Sequence, residues 1–324
     1  MIEDIIKSSA MFAELQSEIK NNRLSHAILL ISSDGEYLSA FANLLARAIL
    51  CNNFNVSNHS NCNICENIRK GVHPDIHLFG KPNPINTEDA NKIVEEIMLR
   101  PYSADKKVYI LDNYDNIGEI AENKLLKTIE EPPSDTIFIL LANNTNKLLQ
   151  TTLSRTQKFY LTGLTVEELT HILNERKIKN PEYVASLANG NLDSALKISS
   201  GDDAVGLAYF AIDTLKNMNQ TYQVLNYATK MEKFGKDVGF LIDYFLVLAR
   251  DVMCYKSGAK TIVTNKVIIN DIKELSTMYS YSALTKIVDA GLLASKMLEA
   301  NVSKQNIIDQ FLLKILEVKL KCRR

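Results

Sequence analysis

The sequence predicts an α/β domain, a parallel sheet with helices on both faces, followed by a wholly helical second half. Three observations carry that expectation. Runs of continuous apolar residues, such as Ala27-Ile28-Leu29-Leu30-Ile31 and Ile137-Phe138-Ile139-Leu140-Leu141, suit strands buried on both faces rather than strands with one wet side. Helical periodicity separates these runs, as βαβ units require. Beyond Gly163 the strand pattern stops and every readable segment is helical.

The elements follow in order. A helix over 11–23, a strand over 26–32 and a helix over 37–51 open the chain, and a polar loop with Cys62 and Cys65 runs to about 73. A strand at 75–79 precedes the turn-rich KPNPIN. Asn86-Thr87-Glu88-Asp89 then starts a helix over 87–100, an N-cap followed by acids that suit the positive end of the helix dipole. Next come a strand at 107–111, a helix over 119–131 stopped by Pro132-Pro133, a strand at 136–142 and a short last strand at 157–161. Thr165 with Glu168 forms a capping box, Pro181 starts a second short helix and 192–198 makes a third. These three helices are too short for a large core, so a lid-like bundle is expected, with 200–203 as its linker. Helices at 204–218, 221–234, 236–256, 266–279, 281–300 and 304–321 complete the chain. Two of them, FLIDYFLVLARDVM and NIIDQFLLKILEVKL, are apolar over wide arcs, which implies burial in a bundle or against another subunit. The expected domains are therefore 1–163, with a Cys-containing insertion at 51–70, then 164–203 and 204–324.

Composition narrows the function. In 324 residues, 46% are hydrophobic, with only 12 Gly and 7 Pro, so the chain folds rather than remaining disordered. A net charge of −1 argues against an autonomous nucleic-acid binder, whose phosphate contacts call for a basic excess. The basic knot Lys319, Lys321, Arg323 and Arg324 suits solvated cations on a last helical turn. No apolar run reaches the roughly 18 to 20 residues of a membrane helix, and the N-terminus is acidic where a signal peptide is basic, so a cytoplasmic protein is expected. The five cysteines include a cluster, Cys51, Cys62 and Cys65, that favours a metal site over a disulfide framework. Cys62-Asn-Ile-Cys65 has zinc-knuckle spacing, and with Cys51 it offers three thiolates. The alternative is a set of ordinary buried thiols.

Asp112 and Asp115 follow a strand at the place where a Walker-B acid would hold magnesium; the default for such acids is a solvated loop. The turn from Ser32 to Tyr37 has no glycine-rich loop and no lysine to hold phosphates. Arg155 follows Thr151-Thr152-Leu153-Ser154 and precedes the last strand, which puts it at the rim of the sheet. His26 and His73, at strand entrances, read as packing residues.

Taken in order, Leu-Leu-Lys-Thr-Ile-Glu-Glu-Pro-Pro at 125–133, an apolar strand and Leu153-Ser154-Arg155 resemble the clamp-loader branch of the AAA+ ATPases. Ser25-His26-Ala27, Gly71-Val72-His73-Pro74-Asp75, Ala188-Asn189-Gly190 and Ala195-Leu196 fit as well, and the likeness runs through about residue 200. The missing lysine, and Asp193 where active members carry a sensor arginine, resemble the non-hydrolysing type in the bacterial DNA polymerase III assembly. That resemblance implies a RecA-like sheet domain, a small lid and a helical collar, with no nucleotide bound by this chain. It implies that Arg155, with Ser154, acts in trans as an arginine finger in the ATP site of a neighbouring gamma/tau-type subunit. Partners would be gamma/tau and delta-type subunits, and through them the sliding clamp and primed DNA. Thr156 stands where the family has cysteine, and Asn143 or Asn144 at its sensor-1 position. A zinc module is also implied, with its fourth cysteine replaced by Ile68; His59 is the nearest substitute ligand, followed by His73 and Glu66. Two rivals remain: a gamma/tau-type ATPase with a degenerate phosphate loop, and a zinc-dependent nucleic-acid adaptor.

Overall fold

A computed structural model describes residues 2–51, 54, 62–200, 204–235, 238–300 and 302–321. The chain divides into two compact units, Met1–Gly163 and Leu164–Arg324. Among the described residues, the first unit contains α1 (Ile2–Ser8), α2 (Ala10–Lys20), β1 (Ala27–Ile31), α3 (Gly35–Leu50), α4 (Asn63–Arg69), β2 (Ile76–Phe79) and α5 (Thr87–Glu96). It continues with β3 (Lys107–Leu111), α6 (Glu119–Glu130), β4 (Thr136–Ala142), α7 (Gln150–Arg155) and β5 (Gln157–Tyr160).

The five strands form a parallel sheet in the order β2-β3-β4-β1-β5, the RecA-like parallel sheet that the sequence predicts. The apolar runs occupy its centre: β1, β3 and β4 are buried at every position. The edge strands β2 and β5 are partly exposed, which explains their weaker pattern. One face packs Leu29, Tyr109, Leu111, Phe138 and Leu140 against Ala90 and Ile93 of α5 and Leu125 and Ile129 of α6. The alternate residues Ile28, Leu30, Val108, Ile110 and Ile139 are equally buried, and α3 packs on β1, β3 and β4.

Local chemistry sets the helix limits. The Asn86 side chain accepts from the N–H groups of Glu88 and Asp89, and the Asp89 carboxylate accepts from Asn86 N, so α5 begins where the sequence places it. It ends at Glu96, short of the expected residue 100. Pro101 disfavours helix at the residue before it, and the Ile97 and Leu99 carbonyls instead accept from the buried Lys107 Nζ. Three short helices lay outside the sequence expectations: α1, α4 within the predicted Cys loop, and α7. Each packs on a longer helix, α1 and α4 on α3 and α7 on α6.

The second unit is helical: α8 (Val166–Glu175), α9 (Pro181–Ala188), α10 (Leu192–Ser200), α11 (Ala204–Asn217), α12 (Thr221–Glu232), α13 (Val238–Lys256), α14 (Ile269–Met278), α15 (Tyr281–Glu299) and α16 (Lys304–Lys321). α13 packs along α14 and α15, and α16 packs along α12 and α15. The buried Asp251 carboxylate in α13 accepts from Thr264 N, Asn265 N and Asn265 Nδ2, which pins the connection into α14. Lys319 departs from the solvated-cation expectation: it is buried and donates to the Lys216 carbonyl at 2.7 Å. Lys321 pairs with Glu317 at 2.5 Å, while Arg323 and Arg324 lie outside the described residues.

Candidate functional site

Arg155 is the last residue of α7, which leads directly into the edge strand β5. A six-residue helix with three β-branched or hydroxyl residues has little intrinsic stability. Glu122 of α6 supplies the rest. Its buried Oε1 accepts from Thr152 Oγ1 at 2.6 Å and from Leu149 N at 3.2 Å, so it anchors α7 to α6. Leu153 packs on the sheet core.

The Arg155 guanidinium donates from Nη1 to the Thr151 carbonyl at 3.0 Å. Its Nε lies 2.8 Å from Glu130 Oε2, a charge contact not aligned as a hydrogen bond. Glu130 is the first acid of the Glu-Glu-Pro-Pro run, so the two halves of the sequence signature touch. The arginine side chain keeps 30% of its surface exposed at the rim. Ser154 donates to the Thr151 carbonyl at 3.0 Å, a bond local to the helix. Thr156 is buried and donates to the Thr152 carbonyl at 3.0 Å, so its hydroxyl is satisfied by the helix that carries Arg155.

At the C-terminal ends of the central strands lies the place where a P-loop would cradle phosphate. With the first glycine of the motif G-x-x-x-x-G-K-[ST] laid on Ser32, the second falls on Tyr37, the lysine on Leu38 and the hydroxyl residue on Ser39. Leu38 is buried in the core, and Asp34 caps α3 by accepting from Tyr37 N at 3.0 Å. On that count an apolar side chain stands at the lysine position, and a carboxylate sits in the turn.

Asp112 and Asp115 are both buried, contrary to the solvated-loop default. Asp112 Oδ1 accepts from Asn113 N at 2.7 Å. Its Oδ2 lies 2.7 Å from Lys81 Nζ and 3.3 Å from Ser39 Oγ, and Lys81 Nζ also donates to Ser39 Oγ at 2.6 Å. Sequence reasoning missed Ser39 and Lys81; counting the motif on from Ser32 could have found Ser39, and no local signal marked Lys81. Asn143 and Asn144 are exposed, and Asn144 closes a turn by accepting from Asn146 N. Asp193 lies in the first turn of α10 and pairs with Lys197 at 2.7 Å.

The three cysteines do converge. Cys51 ends α3, Cys62 caps α4 and Cys65 lies within α4, their sulfur atoms all within 4.8 Å and Cys51 Sγ 3.6 Å from Cys62 Sγ. Metal–sulfur bonds of about 2.3 Å place tetrahedral thiolates about 3.8 Å apart, so the cluster fits three corners of a metal site. Burial pushes the Cys65 thiol up and the charge of Cys62 adds to the rise, while Arg47 and Cys51 act in the opposite direction. Arg47 is itself tied to Glu3 at 2.8 Å. Ile68, at the missing fourth position, is buried. Glu66 pairs instead with Lys70 at 2.6 Å and His73 accepts from Asp75 N at 3.2 Å; neither joins the cluster. His59 lies outside the described residues.

Among the described residues, no helix is long and apolar enough to cross a membrane. A family profile described as "DNA polymerase III, delta subunit" matches residues 7–165. DNA polymerase III subunit delta' of Bacillus subtilis is 27% identical over 321 residues, covering 94% of each chain. Subunit tau of the same organism is 27% identical over 320 residues, covering 89% of this chain and 56% of tau. A crystal structure of a DNA polymerase III gamma subunit-related protein from Thermotoga maritima is 16% identical with a TM-score of 0.48, covering 94% of this chain and 99% of that one. With its parallel sheet and its joined Glu-Glu-Pro-Pro and Ser-Arg signatures, the chain is similar in sequence to clamp-loader subunits of DNA polymerase III, delta' and tau among them.

Proposed function

We propose that this chain is a delta-prime-type stator of the clamp loader: it lacks its own ATPase and supplies Arg155 in trans to a neighbouring gamma/tau ATPase during loading of the sliding clamp onto primed DNA. One contrast carries this reading. The arginine is retained and anchored at the sheet rim, while the chain's own phosphate cradle has Leu38 where a lysine is required. A rim guanidinium is planar and permanently charged, suited to the spread charge of a transferring phosphoryl group on another chain. Partners of the gamma/tau and delta type follow from this role. Residues 164–203 would serve as the lid and 204–324 as the collar, where exposed Leu292, Leu293, Leu313 and Leu320 on α15 and α16 are available for subunit contacts.

Equilibrium binding of a fluorescent ATP analogue to the isolated chain separates this reading from a gamma/tau-type enzyme. No saturable binding is expected at micromolar nucleotide. Micromolar affinity would reassign the chain as an ATPase with a degenerate loop.

We also propose that Cys51, Cys62 and Cys65 hold zinc, with His59 completing the site. Zinc would staple α3 to α4. Metal analysis of protein purified without added zinc should return about one zinc per chain. Cys65→Ser should abolish it and His59→Ala should weaken it; stoichiometry near zero in the unaltered protein would mean that these are ordinary thiols.

A further inference from the structure

The buried acid at the end of β3 already has a cation. In a P-loop nucleoside triphosphatase, magnesium is held by the P-loop Ser or Thr and the Walker-B Asp. The corresponding groups here, Ser39 Oγ and Asp112 Oδ2, lie 3.3 Å apart and are bridged by Lys81 Nζ, 2.6 Å from the first and 2.7 Å from the second. The residues present therefore do not fit a divalent ion as well: its ligands are engaged by an ammonium whose charge would repel it at contact range.

We propose that the Lys81 ammonium is a resident counter-ion at the Ser39–Asp112 seat and takes the place of the divalent cation that the same two residue types hold in an active triphosphatase. A half-exposed lysine beside an acid is commonly a weak surface pair. Four features distinguish this one. Asp112 is buried, and its other oxygen is engaged by Asn113 N, so Oδ2 is the atom left to balance. The segment that carries Lys81 is fixed against the same residue: Asp112 N donates to the Phe79 carbonyl at 2.8 Å, and Asn113 Nδ2 donates to the Gly80 carbonyl at 2.9 Å. Gly80 makes that approach possible, since a Cβ there would lie 1.9 Å from the Asp112 carbonyl oxygen. Finally, Lys81 reaches both seat residues rather than the acid alone. The loop after β2 thus delivers a positive charge to the Ser39–Asp112 seat.

The consequence is a domain whose buried acid is neutralised without nucleotide or metal. This inference goes beyond the trans-acting role of Arg155, and its readouts involve no partner ATPase.

The test uses the full chain with MnCl2 as the probe, free Mn²⁺ being followed by electron paramagnetic resonance. The unaltered protein is expected to bind no Mn²⁺ that depends on Asp112. Lys81→Met, which keeps the apolar stem and removes the charge, should gain about one Mn²⁺ per chain at millimolar concentration, retaining water ligands as hard cations do. Lys81→Met combined with Asp112→Asn should lose it. The soft thiols of the cysteine cluster are poor manganese ligands, and the double variant controls for them. Hydrolysis of ATP should not appear with the metal, because Leu38 still stands at the lysine position. A folded Lys81→Met chain that gains no Mn²⁺, or an unaltered chain that binds Mn²⁺ through Asp112, overturns the proposal.

A second measurement does not depend on how Lys81→Met folds. Acetylation of Lys81 by an amine-reactive ester, followed by peptide mass spectrometry, should proceed severalfold faster in Asp112→Asn than in the unaltered chain. Equal rates would show that the ammonium is not held by Asp112.

Discussion

Replacing Arg155 with alanine is expected to slow ATP hydrolysis at the site it faces in the reconstituted complex by about 10³-fold or more, the scale of an arginine finger, while the complex still assembles. The two halves of this expectation have separate physical origins. The rate effect arises because the guanidinium's fixed charge meets negative charge that develops in the transition state, and alanine offers nothing in its place. Assembly survives because Arg155 contributes little to the fold: its contact with Glu130 is partly exposed, and such pairs contribute about 0 to 1 kcal/mol. The anchor of α7 is the Glu122–Thr152 bond, which the substitution leaves untouched. Arg155→Lys keeps the charge but loses the planar fork, so an intermediate rate is expected. Steady-state ATPase of complexes assembled with each variant, beside gel filtration of the same samples, is the measurement. Unchanged ATPase in an intact complex would remove the trans-acting role. Lost assembly would instead show Arg155 to be an interface residue.

What could be read from the sequence follows the range of the interactions. The central strands were legible because double-sided burial leaves an uninterrupted apolar run in β1, β3 and β4. The caps at Asn86 and Thr165 were legible because a capping box closes over three residues. By contrast, α7 is stabilised by Glu122, thirty residues from Thr152, and no local pattern announces it. The cysteine spacing correctly brought three thiols together. The burial of Ile68 and the commitment of Glu66 to Lys70 required coordinates. Asp112 shows the same limit most plainly. Two acids after a strand looked solvated, yet the groups that balance one of them come from Lys81 and from Ser39, the latter 73 residues away. The turn was legible as lacking a lysine, but the presence of another lysine, Lys81, from the loop after β2 was not.

That seat gives the largest expected stability effect, at Gly80. Two glycines of the first unit have positive φ, Gly71 at 70° and Gly80 at 90°, but their surroundings differ. A Cβ on Gly71 meets nothing within 4 Å, so Gly71→Ala should cost only left-handed strain, about 1 to 2 kcal/mol. On Gly80 the added carbon would lie 1.9 Å from the Asp112 carbonyl oxygen and 2.7 Å from its carbon. These are backbone atoms, and Asp112 N is already bonded to Phe79 O across the β2–β3 ladder, so relief requires the end of β3 to move. Strain and overpacking together should cost on the order of 4 kcal/mol, a large fraction of a typical domain's stability of about 5 to 15 kcal/mol. The midpoint of chemical unfolding should therefore fall severalfold further for Gly80→Ala than for Gly71→Ala. Equal shifts would mean that the strand ends yield freely. If β3 does yield in a variant that still folds, Lys81 moves away from Asp112, and faster acetylation of Lys81 should accompany the lost stability, because the glycine that allows the backbones to meet also holds the cation in its seat.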